Sequence, residues 1–300
     1  MIPTINYIMS NLNEKTFDLL ETSGLNWTVT KEELLTNDGK STESFGIFRS
    51  DNDQWLGTVG NRYTPMQNFE LAETIIQASD GLNLPTKNGG VFGGGKKVFI
   101  QVELPTEQIG VGGVKRWITA LNSNDGSTSI GFGSTSQVIK CSNTFHMAHK
   151  GLDKFRHTAS ASARVQMAMQ DLRKAMQLDN SLMDNFKRMA DIELKDEMIE
   201  SVIRKMFNVD PMIKQDAVST RKRNQVETFA QSLTTEIHLE GKTLWGLFNG
   251  VTRFTNHDSK TFKSIEDKNE YLMSGGGFKT SNVAFNDIMK WVEKHTIQYV

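Results

Sequence analysis

The hydrophobic pattern changes period once along this chain, and that change limits the folds open to it. In the first half, apolar and polar residues alternate in short runs divided by glycine, asparagine and aspartate. Residues 27–35, 45–48, 55–59 and 98–104 all keep the two-residue period of a strand with one face buried. From Thr158 onward strand signals nearly vanish. Val165, Met169, Leu172 and Met176 recur at helical spacing, and Leu182, Phe186, Met189 and Ile192 continue the stripe. Further helical stripes cover residues 198–206, 226–233, 244–251 and 283–292. Strands followed by helices imply an α+β fold, with a β-rich core domain of hairpins over residues 1–157 and a helical region over 158–300.

Local signals divide these halves further. Residues 12–23 suit a short helix ending at Ser23-Gly24, Asn37-Asp38-Gly39 marks a turn, and Asp51-Asn52-Asp53 links a hairpin. Asn68 is the expected N-cap of a helix that buries Leu71, Ala72, Ile75, Ile76 and Ala78. Residues 117–146 hold the densest turn chemistry. Trp117, Thr119 and Leu121 lead into Asn124-Asp125-Gly126, where Asp-Gly tolerates positive φ. Ile130 and Phe132 then alternate with polar residues. Val138, Ile139 and Cys141 form a second apolar run that stops at Ser142-Asn143. In the helical half Ser219 is an expected cap, and Gly275-Gly276-Gly277 an expected break before the last helix.

Gly90 to Lys96 spells most of a phosphate-binding loop, but Lys97 stands where that motif needs Ser or Thr. Val98, Ile100, Val102 and Leu104 then follow strand period, whereas the motif requires a helix. A glycine-rich turn feeding a half-buried strand fits better, and an ATPase does not.

The 300 residues carry a formal net charge of −1, which argues against a globally basic nucleic-acid binder. A single cysteine leaves no intrachain disulfide and fits a reducing compartment. No apolar run nears the ~20 residues of a membrane helix, and residues 1–15 lack the layout of a signal peptide. A cytoplasmic protein with no membrane partner is expected.

Charge is unevenly spread. Between residues 140 and 174 lie Lys140, Lys150, Lys154, Arg156, Arg164, Arg173 and Lys174 against Asp153 and Asp171 alone. Lys96, Lys97, Lys115 and Arg116 sit just upstream, and aromatics including Trp117 and Phe132 interleave. Cations along a groove with aromatic platforms are what sequence-independent binding of single strands requires. Charged residues at this density also suit a plain solvated face.

His146 and His149 stand at H-x-x-H spacing with Cys141 upstream and His157 downstream, a set that could hold zinc. They lack a second paired cluster, and Cys141 beside His146 suits packing better than a nucleophile pair. Asn122, Asn124, Asp125, Ser127 and Asn143 are explained first by turns and strand ends. Carboxylates form no acid/base pair, so no cofactor, metal or catalytic residue is assigned.

Four ordered segments resemble the phage/plasmid-like domain-of-unknown-function family 932. They are Asn124-Asp125-Gly126-Ser127, the run from Val138 to Thr144 (VIKCSNT), Arg156-His157-Thr158, and the run from Thr243 to Thr252 (TLWGLFNGVT). Departures are Ile139-Lys140, where the family prefers valines, Phe145-His146 after the Asn-Thr pair, and Gly250 in place of alanine. The resemblance implies a phage or mobile-element protein, acting in a bacterial host cell. A more distant similarity to single-strand annealing recombinases of the Redβ/RecT type implies ATP-independent annealing by rings or filaments.

The resulting expectation is a single-stranded DNA binding and annealing protein, active in recombination or replication as a homo-oligomer. Lys96, Lys97, Lys115, Arg116, Lys140, Lys150, Lys154, Arg156 and Arg164 would contact phosphates. Trp117 and Phe132 would stack bases, and helices after residue 175 would build subunit contacts. The alternative is a non-enzymatic accessory protein that acts by binding a host factor.

Overall fold

The strands expected on either side of residues 37–39 and 51–53 form an antiparallel meander. β1 (Val29–Leu35), β2 (Ser41–Arg49) and β3 (Trp55–Gly60) lie side by side in that order. The structure, a computed structural model, describes residues 13–127, 130–148, 160–210 and 218–297. Helix α1 (Glu14–Thr22) precedes the meander and is capped by Asn13, whose Oδ1 accepts from the Thr16 N–H at 2.8 Å. Helix α2 (Asn68–Asp80) follows it and buries the expected stripe.

The cap of α2 is Gln67, not Asn68. The Glu70 carboxylate accepts from the Gln67 N–H at 3.0 Å, closing the first turn. Asn68 is drawn inside, where its amide donates to the carbonyls of Leu25 and Trp27 at 3.2 and 3.0 Å. Two buried carbonyls that would otherwise lack donors outweigh a solvated cap.

A second sheet follows in sequential order, comprising β4 (Thr86–Phe92), β5 (Lys97–Ile109), β6 (Gly112–Ser123), β7 (Gly131–Val138) and β8 (Thr144–Ala148). Lys97 opens a strand, as the alternation predicts. Ile139 and Cys141, expected in a strand, instead lie in the β7–β8 turn. Ser142 there has φ 56°, and the Val138 N–H donates to the Asn143 carbonyl at 3.0 Å. Serine reaches the left-handed region only under such local demand.

The helical half holds α3 (Ala161–Asp191), α4 (Asp196–Phe207), α5 (Thr220–Glu240), α6 (Leu244–Arg253), a π-helical turn (Phe254–Asp258), α7 (Ile265–Met273) and α8 (Gly276–Ile297). Ser219 occupies the N-cap position of α5. The chain breaks at Ser274-Gly275 between α7 and α8, as expected, while Gly276 and Gly277 already belong to α8, where the Tyr271 ring packs against Gly277. The fold is α+β.

Two compact units emerge, each assembled from separate pieces of chain: residues 1–104, 117–134 and 148–177 in the first, and 105–116, 135–147 and 178–300 in the second. This differs from a division at 157/158, because β5, β6, β7 and α3 each give residues to both units. The first unit's core gathers Leu20, Trp27, Ile47, Leu71, Ile75, Ile100, Phe132 and Leu172. The second unit's core is aromatic. Phe186 stands 4.9 Å from the Trp245 ring and 5.3 Å from Phe248, with Phe145 and Phe285 beyond.

Candidate functional site

In the first unit the β4–β5 turn presents two lysines on a fixed backbone. Gly94 and Gly95 have φ of 68° and 101°. A Cβ at Gly94 would stand 2.3 Å from the Gln54 amide, and one at Gly95 would stand 3.1 Å from the Trp27 ring. Only glycine meets both demands. Asn124, wholly buried, donates from its amide to the Gly95 carbonyl at 2.9 Å, and its N–H donates to the Lys96 carbonyl at 2.7 Å. Arg49 reaches the Gly94 carbonyl at 3.4 Å, stacks 4.3 Å over Trp27 and grips Asp51 through two nitrogens at 2.7 and 2.8 Å.

The next turn supports this one. Asp125 Oδ1 accepts from Ser123 Oγ at 2.8 Å and from the Ser127 N–H at 2.9 Å, while Tyr63 donates to the Ser123 carbonyl at 2.9 Å. Burial disfavours the Asp125 charge, but donation from Ser127 and Ser123, with Lys97 nearby, brings its carboxyl below the ordinary value. The Asn-Asp-Gly-Ser segment is therefore a clamp on the glycine turn.

Trp55 completes the surface. It is 50% exposed, and Lys96 Nζ lies 5.7 Å from its ring centroid. Lys97 Nζ lies 5.9 Å from the buried Phe92 ring. Trp55 was expected in a strand, with no role assigned to it. Its signal was parity, since Leu56 is buried and the adjacent Trp55 therefore faces outward.

The other expected contacts are dispersed. Lys115 and Lys140 are exposed and belong to the second unit. Trp117 is half-buried. Arg164, in the first unit, is 14% exposed and lies 3.6 Å from Glu70. Two expectations need correction. Arg116 is 6% exposed, and its guanidinium donates to Asp179, Glu107 and Asn180 at 2.8, 3.0 and 2.7 Å, so all three nitrogens are engaged inside the protein and the group is too buried to meet phosphate. Phe132 is 4% exposed within the first core and cannot stack a base. Strand alternation explains the first case, because neighbours on β6 face opposite ways and only Lys115 points out. Lys150, Lys154 and Arg156 lie outside the described residues, as do His149 and His157.

The second unit gathers the Cys141–His146 segment into a buried polar network. Burial pushes the Cys141 thiol up to about 12; the Asn143 N–H works against this, while the Glu236 and Glu240 carboxylates add to it. The thiol stays protonated and is a poor nucleophile. Nδ1 of His146 is engaged by Thr135 Oγ1 at 2.8 Å. Among the described residues no three His, Cys, Asp or Glu side chains are arranged to hold a metal ion. Asn256, on the π-helical turn, accepts from the Thr144 N–H at 3.1 Å and donates to the Thr144 carbonyl at 2.9 Å. Asn282 donates to the His146 carbonyl at 3.0 Å. These amides close the outer edge of β8 as another strand would.

Burial lowers the His146 pKa to about 4, so the folded chain keeps it neutral where the unfolded chain, near 6.5, takes up a proton. This contribution is complete above about pH 6.5 and is lost as pH falls toward 4, amounting to at most ~3 kcal/mol. Urea midpoints from pH 7.5 to 4 should fall less steeply for His146→Gln than for the parent chain.

The sequential sheet, the cation–aromatic surface and the structural polar network belong to an α+β protein. The family model described as "Domain of unknown function (DUF932)" matches residues 55–274, and the chain belongs to that family. No curated protein and no solved structure matches the chain. Two of the family-like segments, residues 138–144 and 243–252, meet within the second unit, where the Asn143 amide donates to the Asn249 carbonyl at 3.3 Å. Gly250, where the family pattern has alanine, lets α6 approach α5, since a Cβ there would stand 2.9 Å from Leu233 Cα. Among the described residues no helix is long and apolar enough to cross a membrane.

Proposed function

We propose that this chain binds single-stranded DNA and promotes annealing of complementary strands without ATP, as an oligomeric accessory of phage or mobile-element recombination or replication. The observation that carries the reading is the half-exposed Trp55 with Lys96 across its ring, on a turn clamped by Asn124 that also carries Lys97. An indole accepts any base by stacking, and the ammonium groups neutralise the phosphates on either side. Exposed Lys115 and Lys140 add positive charge on the second unit. Annealing on this account needs no bond chemistry. One strand is held through its backbone, repulsion from a second strand is reduced, and pairing follows.

Fluorescence anisotropy of a labelled single-stranded oligonucleotide, titrated at rising salt, tests the reading. Each phosphate contact contributes a slope of about −0.7 in log K against log salt, so Lys96 and Lys97 alone give roughly −1.4 or steeper. Absence of binding at low salt, or affinity indifferent to salt, would leave the protein-contact alternative in its place.

A further inference from the structure

The β1–β2 hairpin projects a surface that strand binding does not use. Glu32, Glu33 and every residue from Leu35 to Glu43 are exposed, and Leu35 is 57% exposed. The arm is nonetheless held in shape. The Thr36 N–H donates to the Lys40 carbonyl at 2.8 Å, Thr42 Oγ1 donates to the Leu34 carbonyl at 2.5 Å, and Ser41 bonds the Glu33 carboxylate.

Its outer edge is open. The Val29 N–H and C=O are both taken by the Gln67 amide, at 2.9 and 3.0 Å. Alternation places the N–H and C=O of Lys31 and Glu33 on that same edge, and among the described residues no hydrogen bond reaches them. β1 is an edge strand of the three-stranded sheet, and a free edge of this kind is usually covered. Charge narrows what could cover it. Residues 32–43 hold Glu32, Glu33, Asp38 and Glu43 against Lys40 alone.

The second unit carries a complementary knob. Val111, Ile139 and Leu239 are 60, 49 and 42% exposed. The Ile139 N–H donates to the Gly113 carbonyl at 2.9 Å, which sets the β7–β8 turn beside the β5–β6 turn. The Lys140 stem passes 3.5 Å from where a Gly112 Cβ would be, and Lys115 is exposed two residues beyond Gly113. An apolar knob flanked by two exposed lysines, with the largely buried Glu240 beside Lys140, suits an arm that offers Leu35 among four carboxylates.

We propose that the acidic arm of one copy docks on the basic, apolar knob of a second copy, so that copies associate head to tail. Two different surfaces make a heterologous contact, which closes as a ring or continues as a filament. This deepens the oligomeric part of the reading above by naming the surfaces. It is tested without DNA, so its failure is distinct from a failure of strand binding.

Sedimentation velocity of the full chain at micromolar concentration is expected to show assemblies that weaken as salt rises. E32K/E33K and K140E should each sediment as monomers, with thermal melts close to the parent's, because all three side chains are exposed. The arm variant gives up only surface bonds from Thr30 and Ser41, while its backbone pairing stays. An equimolar mixture of the two variants should regain the larger assemblies with the variants alternating, because each arm then meets a knob of opposite charge, and the triple variant should regain them alone. A monomeric parent chain, assemblies unaffected by the arm reversal, or variants that stay monomeric on mixing would each overturn the proposal.

Discussion

Replacing Arg116 by methionine is expected to lower the unfolding free energy by about 3–5 kcal/mol, the range seen when one partner of a buried ion pair is removed. Its guanidinium spends three nitrogens on Asp179, Glu107 and Asn180, and the Asp179 side chain is wholly buried. Methionine keeps the bulk of the stem but leaves that carboxylate without its guanidinium in a poorly solvated site. Glu107 is less affected, because Lys187 lies 2.6 Å away; that ammonium leads in holding its carboxyl below the usual range, against burial. Urea unfolding followed by tryptophan fluorescence measures the loss. A second substitution, Asp179→Leu, should recover much of it, since removing both charges is far less damaging than removing one. A loss below 1 kcal/mol for Arg116→Met would return Arg116 to the list of available phosphate contacts.

Phe186→Ala is expected to destabilise the second unit by a similar ~3–5 kcal/mol. The ring has no exposure and touches four other aromatic rings, those of Trp245, Phe248, Phe145 and Phe285. These rings come from α3, α6, β8 and α8, so the cavity left by alanine cannot be closed by moving one element. Differential scanning calorimetry should show a lowered transition for Phe186→Ala. Phe186→Leu, which refills most of the volume, should lie between the two. Equal melting for alanine and parent would contradict the aromatic core as described.

Much of the fold could be inferred from periodicity. The stripe Leu71, Ala72, Ile75, Ile76, Ala78 predicts α2, and the alternation from Val98 to Leu104 predicts a strand after the glycine turn where a phosphate-binding loop would have demanded a helix. What escaped was decided by contacts distant in sequence. Asn68 has the chemistry of a cap, yet the carbonyls of Leu25 and Trp27 claim its amide. Ile139 and Cys141 look like strand residues, but the Asn143–Asn249 bond pins the chain end and forces a turn through Ser142. The site was half legible. Lys96 and Lys97 were visible as cations, whereas Arg116 next to Lys115 concealed a parity that only the register of β6 resolves. Trp55 announced itself only once Leu56 was known to be inward. The turn from Asn124 to Ser127 was legible as turn chemistry, but that it also holds the lysine-bearing turn in place depends on the Asn124–Gly95 bond, which joins residues far apart in sequence.

On the proposed function, strand binding is seated on the Gly94–Lys97 turn and Trp55. Anisotropy titration of a single-stranded oligonucleotide with Trp55→Ala and with the double variant Lys96→Ala/Lys97→Ala tests it most directly. Loss of a stacked base is worth about 1–3 kcal/mol, so Trp55→Ala should weaken binding roughly 5- to 150-fold while its salt slope stays close to that of the parent chain. The lysine pair should weaken binding and flatten the slope by about 1.4. Parent-like affinity and slope in both variants, with the fold intact by circular dichroism, would contradict the account.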